Sequence, residues 1–520
     1  MHSSLALALL PLASAGFSGF IGNAPTTFSK QKDPATVCGL LKQKYSNLTF
    51  IPSDAGYKKE NEVAWSPAAW QGPACIFAPR NAQDLSWAVK TLTKYSTPFA
   101  MRGGGHMPIA DAANINSTGV QISSTNLNTL KLSDDKQTMS VGPGPRWGDV
   151  WEALDGTNLT VVGGRLPPVG VPGLLLGGGI SYFSNAHGLA SSNGKIKAYE
   201  CVLADGTIAT VTAKGKYSDL YWALLGGGSN YALVTRFDMQ TFYAETPLRA
   251  EASFEESDTI KDAYLDALLA MTLKGDEDTA AAVIPVARWG PNFTVPSYEA
   301  SLFYNGSVAP ASGVFSSFYN NSILPSVNKS SNLQPLSFAR YSQAFRPAFQ
   351  PGGPGYGFRQ KFRVVPIKAD REAMDIVHDA WLDAMKASGI AERVPGFFSG
   401  LAYNCVTKTF ASQSQNMPQN VEPVAQFWVE ESISWSNAED DAEIEALVED
   451  FNAKIETQLE AKDLAVAYIY LNDADKGQKA FESYGEESVL KLKAIRAKYD
   501  PKKVFTDLMP GGFKVDKAKC

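Results

Sequence analysis

The sequence predicts an α+β protein of more than one domain, on three observations. The chain has 520 residues, more than one core ordinarily encloses, which implies two or three domains. Through the first half, short apolar segments bounded by turn residues alternate with amphipathic helical stretches. After about residue 245 the glycine clusters thin out and most of the later N-glycosylation sequons occur, so residues 246–460 read as a separate domain.

Composition narrows the class. With 44% hydrophobic and 19% charged residues the chain is that of a soluble globular protein, and a net charge of −6 argues against nucleic acid or an anionic membrane surface as partner. No stretch reaches the ~18 apolar residues of a membrane span. The N-terminus, "MHSSLALALLPLASAGFSG", has a short apolar run ending in Ala13-Ser14-Ala15, so residues 1–15 are expected to be a signal peptide. Sequons at Asn47, Asn116, Asn158, Asn292, Asn305, Asn320 and Asn328 agree with a secreted, extracellular glycoprotein. In that compartment Cys38 and Cys75 are expected to form a disulfide, the other reading being two buried thiols; Cys201, Cys405 and Cys520 have no evident pairing.

The elements follow in order. In residues 79–102 Asn81 caps a helix whose Leu85, Ala88, Val89 and Leu92 share one face, and "PFAMR" is a strand running into glycines. "GVQIS", "TLKLS" and "TMSVGPG" are strands, and "RWGDVWEAL" is a short helix. Residues 161–189 carry too many glycines and prolines for a packed helix and read as extended backbone wrapped around something. "YECVLADGTIATVT" is a hairpin turning at Asp205-Gly206, and "SDLYWALLGGGSNYALVTRF" is helix, glycine loop, strand. Residues 437–460 form a long helix with Ile444, Leu447, Val448, Phe451, Ile455 and Leu459 on one stripe. The tail is a helix with Val489, Leu492, Ile495 and Tyr499 inward, stopping at Asp500-Pro501.

Three glycine-rich loops beside strands or helix starts point to a large, phosphate-bearing ligand, because backbone N–H groups cradle anions where no Cβ intrudes. A dinucleotide G-x-G-x-x-G unit, a phosphate-binding G-x-x-x-x-G-K-[ST] loop, metal-ligand spacing and a G-x-S-x-G elbow are all missing. The stretch "RGGGHMP", residues 102–108, ends in one of only four histidines. That imidazole is a solvated side chain, a proton carrier, a ligand or a covalent anchor.

The motifs "PFAMRGGGHMP", "VGGRLPPVGVPGLLLGGGISYFSNAHGLA", "YECVLADGTI", "DLYWALLGGGSNYALVTRF", "YLNDAD" and "YDPKKVFTDLMPGGFK", in this order and spacing, resemble the FAD-linked oxidases of the vanillyl-alcohol oxidase and p-cresol methylhydroxylase type, in the berberine-bridge-enzyme-like branch with its fungal secreted relatives. The resemblance runs over about 60–245 and 460–515. It implies an FAD-binding domain of the PCMH type in two parts, 30–245 and 461–520, split by an α/β substrate domain (246–460) built on an antiparallel sheet.

It also implies roles. Arg102, Gly103, Gly104 and Gly105 would lie along the FAD, with His106 bonded covalently to its ring system. Val169, Gly170 and Gly173, then Gly177, Gly178 and Gly179, then Gly188 and Asn472, would complete the cofactor site. Leu166 stands where doubly anchored members carry cysteine, so no second, cysteinyl bond is expected there, and a large sugar substrate is disfavoured. Val169 matches the position where valine accompanies oxidases. In "YLND" Asp473 stands where many members have the tyrosine base. Asp473, helped by Tyr470, is thus either the catalytic base or a helix cap or loop acid; in the second case the base lies among residues such as Tyr403, Glu430 or Glu431.

The expected function is a secreted FAD-dependent oxidase, taking a hydride from a small or medium organic substrate such as an alcohol, a phenol or a secondary metabolite, with dioxygen as acceptor. The alternatives are a carbohydrate oxidase and, in another class, a flavoprotein scaffold or cyclase-like pocket without redox turnover. A small molecule and dioxygen are the expected partners, with no metal, nucleic acid or membrane, and the chain is expected to be a monomer.

Overall fold

The computed structural model describes residues 33–192, 194–254, 257–327 and 332–519. The expected signal peptide, Asn328 and Cys520 lie outside them. Helices and three sheets make up an α+β chain.

The first sheet contains β1 (Thr49–Phe50), β2 (Cys75–Phe77), β3 (Phe99–Arg102) and β4 (Val120–Ser123) in the order β1-β2-β4-β3. β4 runs parallel to both β2 and β3. Helix Ala82–Lys94 covers it, and the Asn81 side chain accepts from the Asp84 N–H as expected. Its Leu85, Val89 and Leu92 pack with Phe77, Phe99 and Val120, and with Val504 and Phe505 from the far end of the chain. Cys38 is bonded to Cys75, tying helix Pro34–Lys44 to β2.

The second sheet is antiparallel. It contains β5 (Leu130–Leu132), β6 (Thr138–Val141), β7 (Leu159–Val161), β8 (Ile196–Val202), β9 (Ile208–Thr212) and β10 (Leu233–Tyr243), in the order β5-β6-β10-β8-β9 with β7 on the end of β10. β8 and β9 form the hairpin read from Asp205-Gly206. Helix Glu486–Tyr499 buries Val489, Leu492 and Ile495 in the same core as Leu220 and Leu224. The tail thus returns to the first half of the chain.

Residues 161–189 depart from the extended reading. Val171–Leu176 and Ser184–His187 are short helices. Pro172 sits in the first turn of the former, where its fixed φ favours a helix and its missing N–H costs nothing; Leu175 and Leu176 then bury.

The third sheet has seven antiparallel strands, β11 (Leu248–Ser253), β12 (Ala281–Trp289), β13 (Ser297–Tyr304), β14 (Gln334–Pro335), β15 (Arg359–Lys368), β16 (Phe398–Val406) and β17 (Gln426–Trp435), in the order β14-β11-β13-β12-β16-β17-β15. Helices Asp258–Lys274, Arg371–Ser388 and Asp441–Ala461 supply side chains to one core with it, including Leu268, Trp381 and Phe451 against Val283, Tyr403 and Val429. Successive strand residues point to opposite faces. On β12, Ala281, Val283 and Ala287 are therefore buried in that core, while Ile284, Val286 and Arg288 line a cleft on the other face. That cleft is where the third sheet meets the first half of the chain.

The six described sequon asparagines are exposed except Asn305, which is half-buried. No described helix is long and apolar enough to cross a membrane.

The disulfide closes a separation of 37 residues. Replacing Cys38 and Cys75 by serine is expected to cost roughly 2–4 kcal/mol. In calorimetry the double variant should unfold at a lower temperature than wild type, and added reductant should lower only the wild type.

Candidate active site

The cleft has a volume of about 800 Å³. One wall is the loop that leaves β3. Gly104 lies so close to Gly170 that a Cβ on it would come within 2.4 Å of the Gly170 Cα, and a Cβ on Gly103 would meet Pro172 at the same distance. Gly105 takes φ +73°, which side chains rarely adopt. Arg146 braces the loop from behind, donating to the Gly104 carbonyl at 2.8 and 3.2 Å and to the Val63 carbonyl at 3.1 Å.

The carbonyl of Gly104 is thus turned toward Arg146. The backbone N–H groups of Gly103, Gly104, Gly105, His106 and Met107 donate to no acceptor among the described residues. Such a run of unpaired amides calls for an anionic or polar ligand.

His106 closes the run. Its ring stacks on Trp65, centroids 4.3 Å apart and planes 19° from parallel. Burial, helped by the Arg146 charge, pushes the imidazole down to about 3. It is therefore neutral at physiological pH and keeps a nitrogen lone pair.

The other wall holds the titratable groups. Tyr470 is buried, stacked on Trp428 with centroids 5.2 Å apart. Its hydroxyl oxygen accepts from the Ile180 N–H at 3.0 Å and from the Asn472 amide at 2.9 Å, which leaves its own proton to donate. Burial, with the charge of Asp473, raises its pKa. Asn472 also donates to the Leu174 carbonyl at 3.1 Å.

Asp473 faces the cleft together with Glu430 of β17. Neither carboxyl receives a hydrogen bond from a described residue. Burial raises both above the usual carboxylate range, Asp473 further through the charge of Glu430; Arg165 opposes the rise in each. Two like charges in one cleft disfavour each other's ionisation, so the titrations of the two groups are linked. Asp475, two residues on, is held differently, by an ion pair with Lys361 at 2.7 Å.

Strand alternation ranks the other candidate bases. Glu431, next to Glu430, points into the helix-covered core, where it accepts from Asn452 at 2.7 Å and burial pushes it up to about 7. Tyr403 is fully buried and donates to the Met374 carbonyl at 2.9 Å. Neither lines the cleft.

His106, Gly103, Gly104, Gly105, Val169, Gly170, Gly173, Tyr470, Asn472 and Asp473 all line the cleft. Arg102 does not. It is buried behind the loop, donating to Glu60 at 3.1 Å, Ser123 at 2.6 Å and the Gly103 carbonyl at 2.8 Å. Gly177, Gly178, Gly179 and Gly188 also lie off the lining, against protein atoms: Gly177 makes room for Asn472, Gly178 for Gln419, Gly179 for Leu174 and Gly188 for the Gln413 backbone. Leu166 lines the cleft, and no cysteine does among the described residues. No described cluster fits a metal ion. The sequence reading named Glu430 without ranking it and passed over Arg165; the period-two pattern of β17 carried the signal for the first once that strand was placed.

Free amides ending in a neutral histidine, a glycine cradle with no space for Cβ and a carboxyl pair opposite suit a flavin. Residues 73–212 match the family model of an FAD binding domain. Over 497 residues the chain is 32% identical to the FAD-dependent monooxygenase prx3 of Penicillium roqueforti, a match covering 92% of this chain and 94% of that protein. The structure resembles 6-hydroxy-D-nicotine oxidase from Arthrobacter nicotinovorans (TM-score 0.73, 21% identity, 88% of this chain and 96% of that one). It also resembles the glucooligosaccharide oxidase of Acremonium strictum, described with a 6-S-cysteinyl, 8α-N1-histidyl FAD (TM-score 0.71, 20% identity, 90% and 97%). The chain belongs to the FAD-dependent oxidoreductases with an FAD-binding domain of this type, and in fold it resembles a berberine-bridge-enzyme-like protein of Physcomitrella patens (TM-score 0.71, 17% identity, 90% of this chain and 97% of that one).

The Gly104–Gly170 approach allows no side chain. Gly104→Ala should give folded protein with strongly reduced FAD content, read as the ratio of flavin to protein absorbance. A variant with full flavin content would show that the loop does not depend on this contact.

Proposed function

We propose that this protein is a secreted, monomeric FAD-dependent oxidase of a small or medium organic substrate bearing a hydroxyl group. The observation that carries the reading is the Glu430–Asp473 pair, set in the same cleft as the free amides of residues 103–107 and His106. Bound FAD supplies a hydride acceptor whose electrons pass on to dioxygen. The chain supplies the rest.

The amides of the loop hold the cofactor. The pair keeps one proton, and its ionised oxygen takes the hydroxyl proton of the substrate as the carbon is oxidised. Its raised pKa makes it a stronger base near neutrality than an exposed carboxylate. Tyr470, its oxygen already occupied by two donors, donates its remaining proton toward the substrate oxygen. Trp65, Phe349, Phe358, Phe362 and Phe398 give the cleft aromatic walls against which the body of an apolar substrate can lie. Val169 lines the cleft and is the residue we assign to leaving room for dioxygen.

The base assignment is tested by anaerobic flavin reduction with a substrate found by peroxide-coupled screening. Asp473→Asn and Glu430→Gln should each slow reduction by roughly 10²-fold. The rate should rise with pH through the raised pKa of the pair, because the base works ionised. In Glu430→Gln this limb should move to lower pH, since Asp473 no longer ionises against a neighbouring charge. Wild-type rates in both variants would remove the pair from the mechanism.

We further assign His106 as a covalent anchor, a reading supported by its neutral state and its place beside the amides. Acid-precipitated protein should stay yellow, and a tryptic peptide containing His106 should carry the flavin mass. Flavin released wholly into the supernatant would contradict the bond.

A further inference from the structure

Arg165 is the charged residue of the cleft that the proposed proton transfer leaves without a task. It stands half-buried in the wall, one residue before Leu166. One of its amino groups donates to Asn404 Oδ1 at 2.8 Å. Asn404 is buried and fixed in turn by its own donation to the Trp428 carbonyl at 3.1 Å. The guanidinium is thus anchored on one side while its other N–H groups have no acceptor among the described residues.

It forms no ion pair within 4.0 Å with a described carboxylate. The other cleft arginine, Arg288, is neutralised by Glu299 at 2.8 Å. Glu430 and Asp473 feel the charge of Arg165 without forming an ion pair with it. An anchored guanidinium with open donors, in a cleft walled by aromatic rings, is built to receive a planar oxyanion through paired hydrogen bonds.

We propose that Arg165 is an anion-recognition site, and that the substrate is an aromatic or apolar carboxylic acid whose carboxylate Arg165 holds while its body lies against Trp65, Phe358 and Phe398. The inference rests on the cleft being the substrate site. It does not require that Glu430 or Asp473 accept a proton.

The test is calorimetric titration of oxidised holoenzyme with benzoate and with benzamide, which has nearly the same shape but no charge. The flavin absorption band, followed in parallel, reports occupancy of the cleft. Benzoate should bind roughly tenfold or more tightly than benzamide, as expected for a charged hydrogen-bonded pair. Arg165→Gln should abolish the preference while leaving benzamide binding unchanged, and Arg165→Lys should keep part of it. Equal affinity of wild type for the two probes, or a preference that survives Arg165→Gln, overturns the proposal. If Arg165→Gln fails to retain flavin, the wild-type comparison and Arg165→Lys still decide. No proton is abstracted in this titration, so its outcome is separate from that of the reduction experiments.

Discussion

The contact between the backbones of Gly104 and Gly170 is the constraint on which the site depends. It brings the loop after β3 against the start of helix Val171–Leu176 at a separation no side chain permits. With Arg146 holding the Gly104 carbonyl from behind, residues 103–107 line the cleft with amides that have no protein acceptor among the described residues. A run of amides without protein acceptors suits a bound anionic cofactor, which supplies the missing partners. The same loop sets His106 on Trp65, where burial keeps the imidazole neutral.

The third sheet completes the cleft by simple geometry. One face is covered by three helices, so every second residue is core; the alternate residues present Ile284, Val286, Arg288 and Glu430 to the opposite side. A shift of one residue along β17 would exchange Glu430 for Glu431 and swap an acid facing the cleft for one tied to Asn452. The segment after the long helix Asp441–Ala461 then brings Tyr470, Asn472 and Asp473 to the same space, anchored at Asp475 by Lys361.

Much of this was legible in the sequence. The Asn81 cap, the β8–β9 hairpin, the Cys38–Cys75 pairing and the apolar stripe of 441–461 each rest on local patterns that the fold keeps. The glycine loop stands out because special backbone leaves marks in the residue string, and Asp473 was singled out through the family resemblance, which places a tyrosine at its position. Arg102 misled because its neighbours in sequence line the cleft while its side chain turns to Glu60. The glycines at 177–179 serve packing against Asn472, Gln419 and Leu174, which only tertiary structure reveals. Helix Val171–Leu176 was hidden by the glycines and prolines around it, and Glu430 and Arg165 by the need to know which strand face meets which loop.

The central claim is that two carboxyls in one apolar cleft share a single proton. Infrared difference spectroscopy of holoenzyme across the pH range measures this directly. The account predicts a protonated carboxyl band at neutral pH that weakens in both Asp473→Asn and Glu430→Gln, the acid left behind titrating at lower pH without its neighbour's charge while burial still holds it above the usual range. A wild-type spectrum in which every carboxyl is ionised by neutral pH would contradict it.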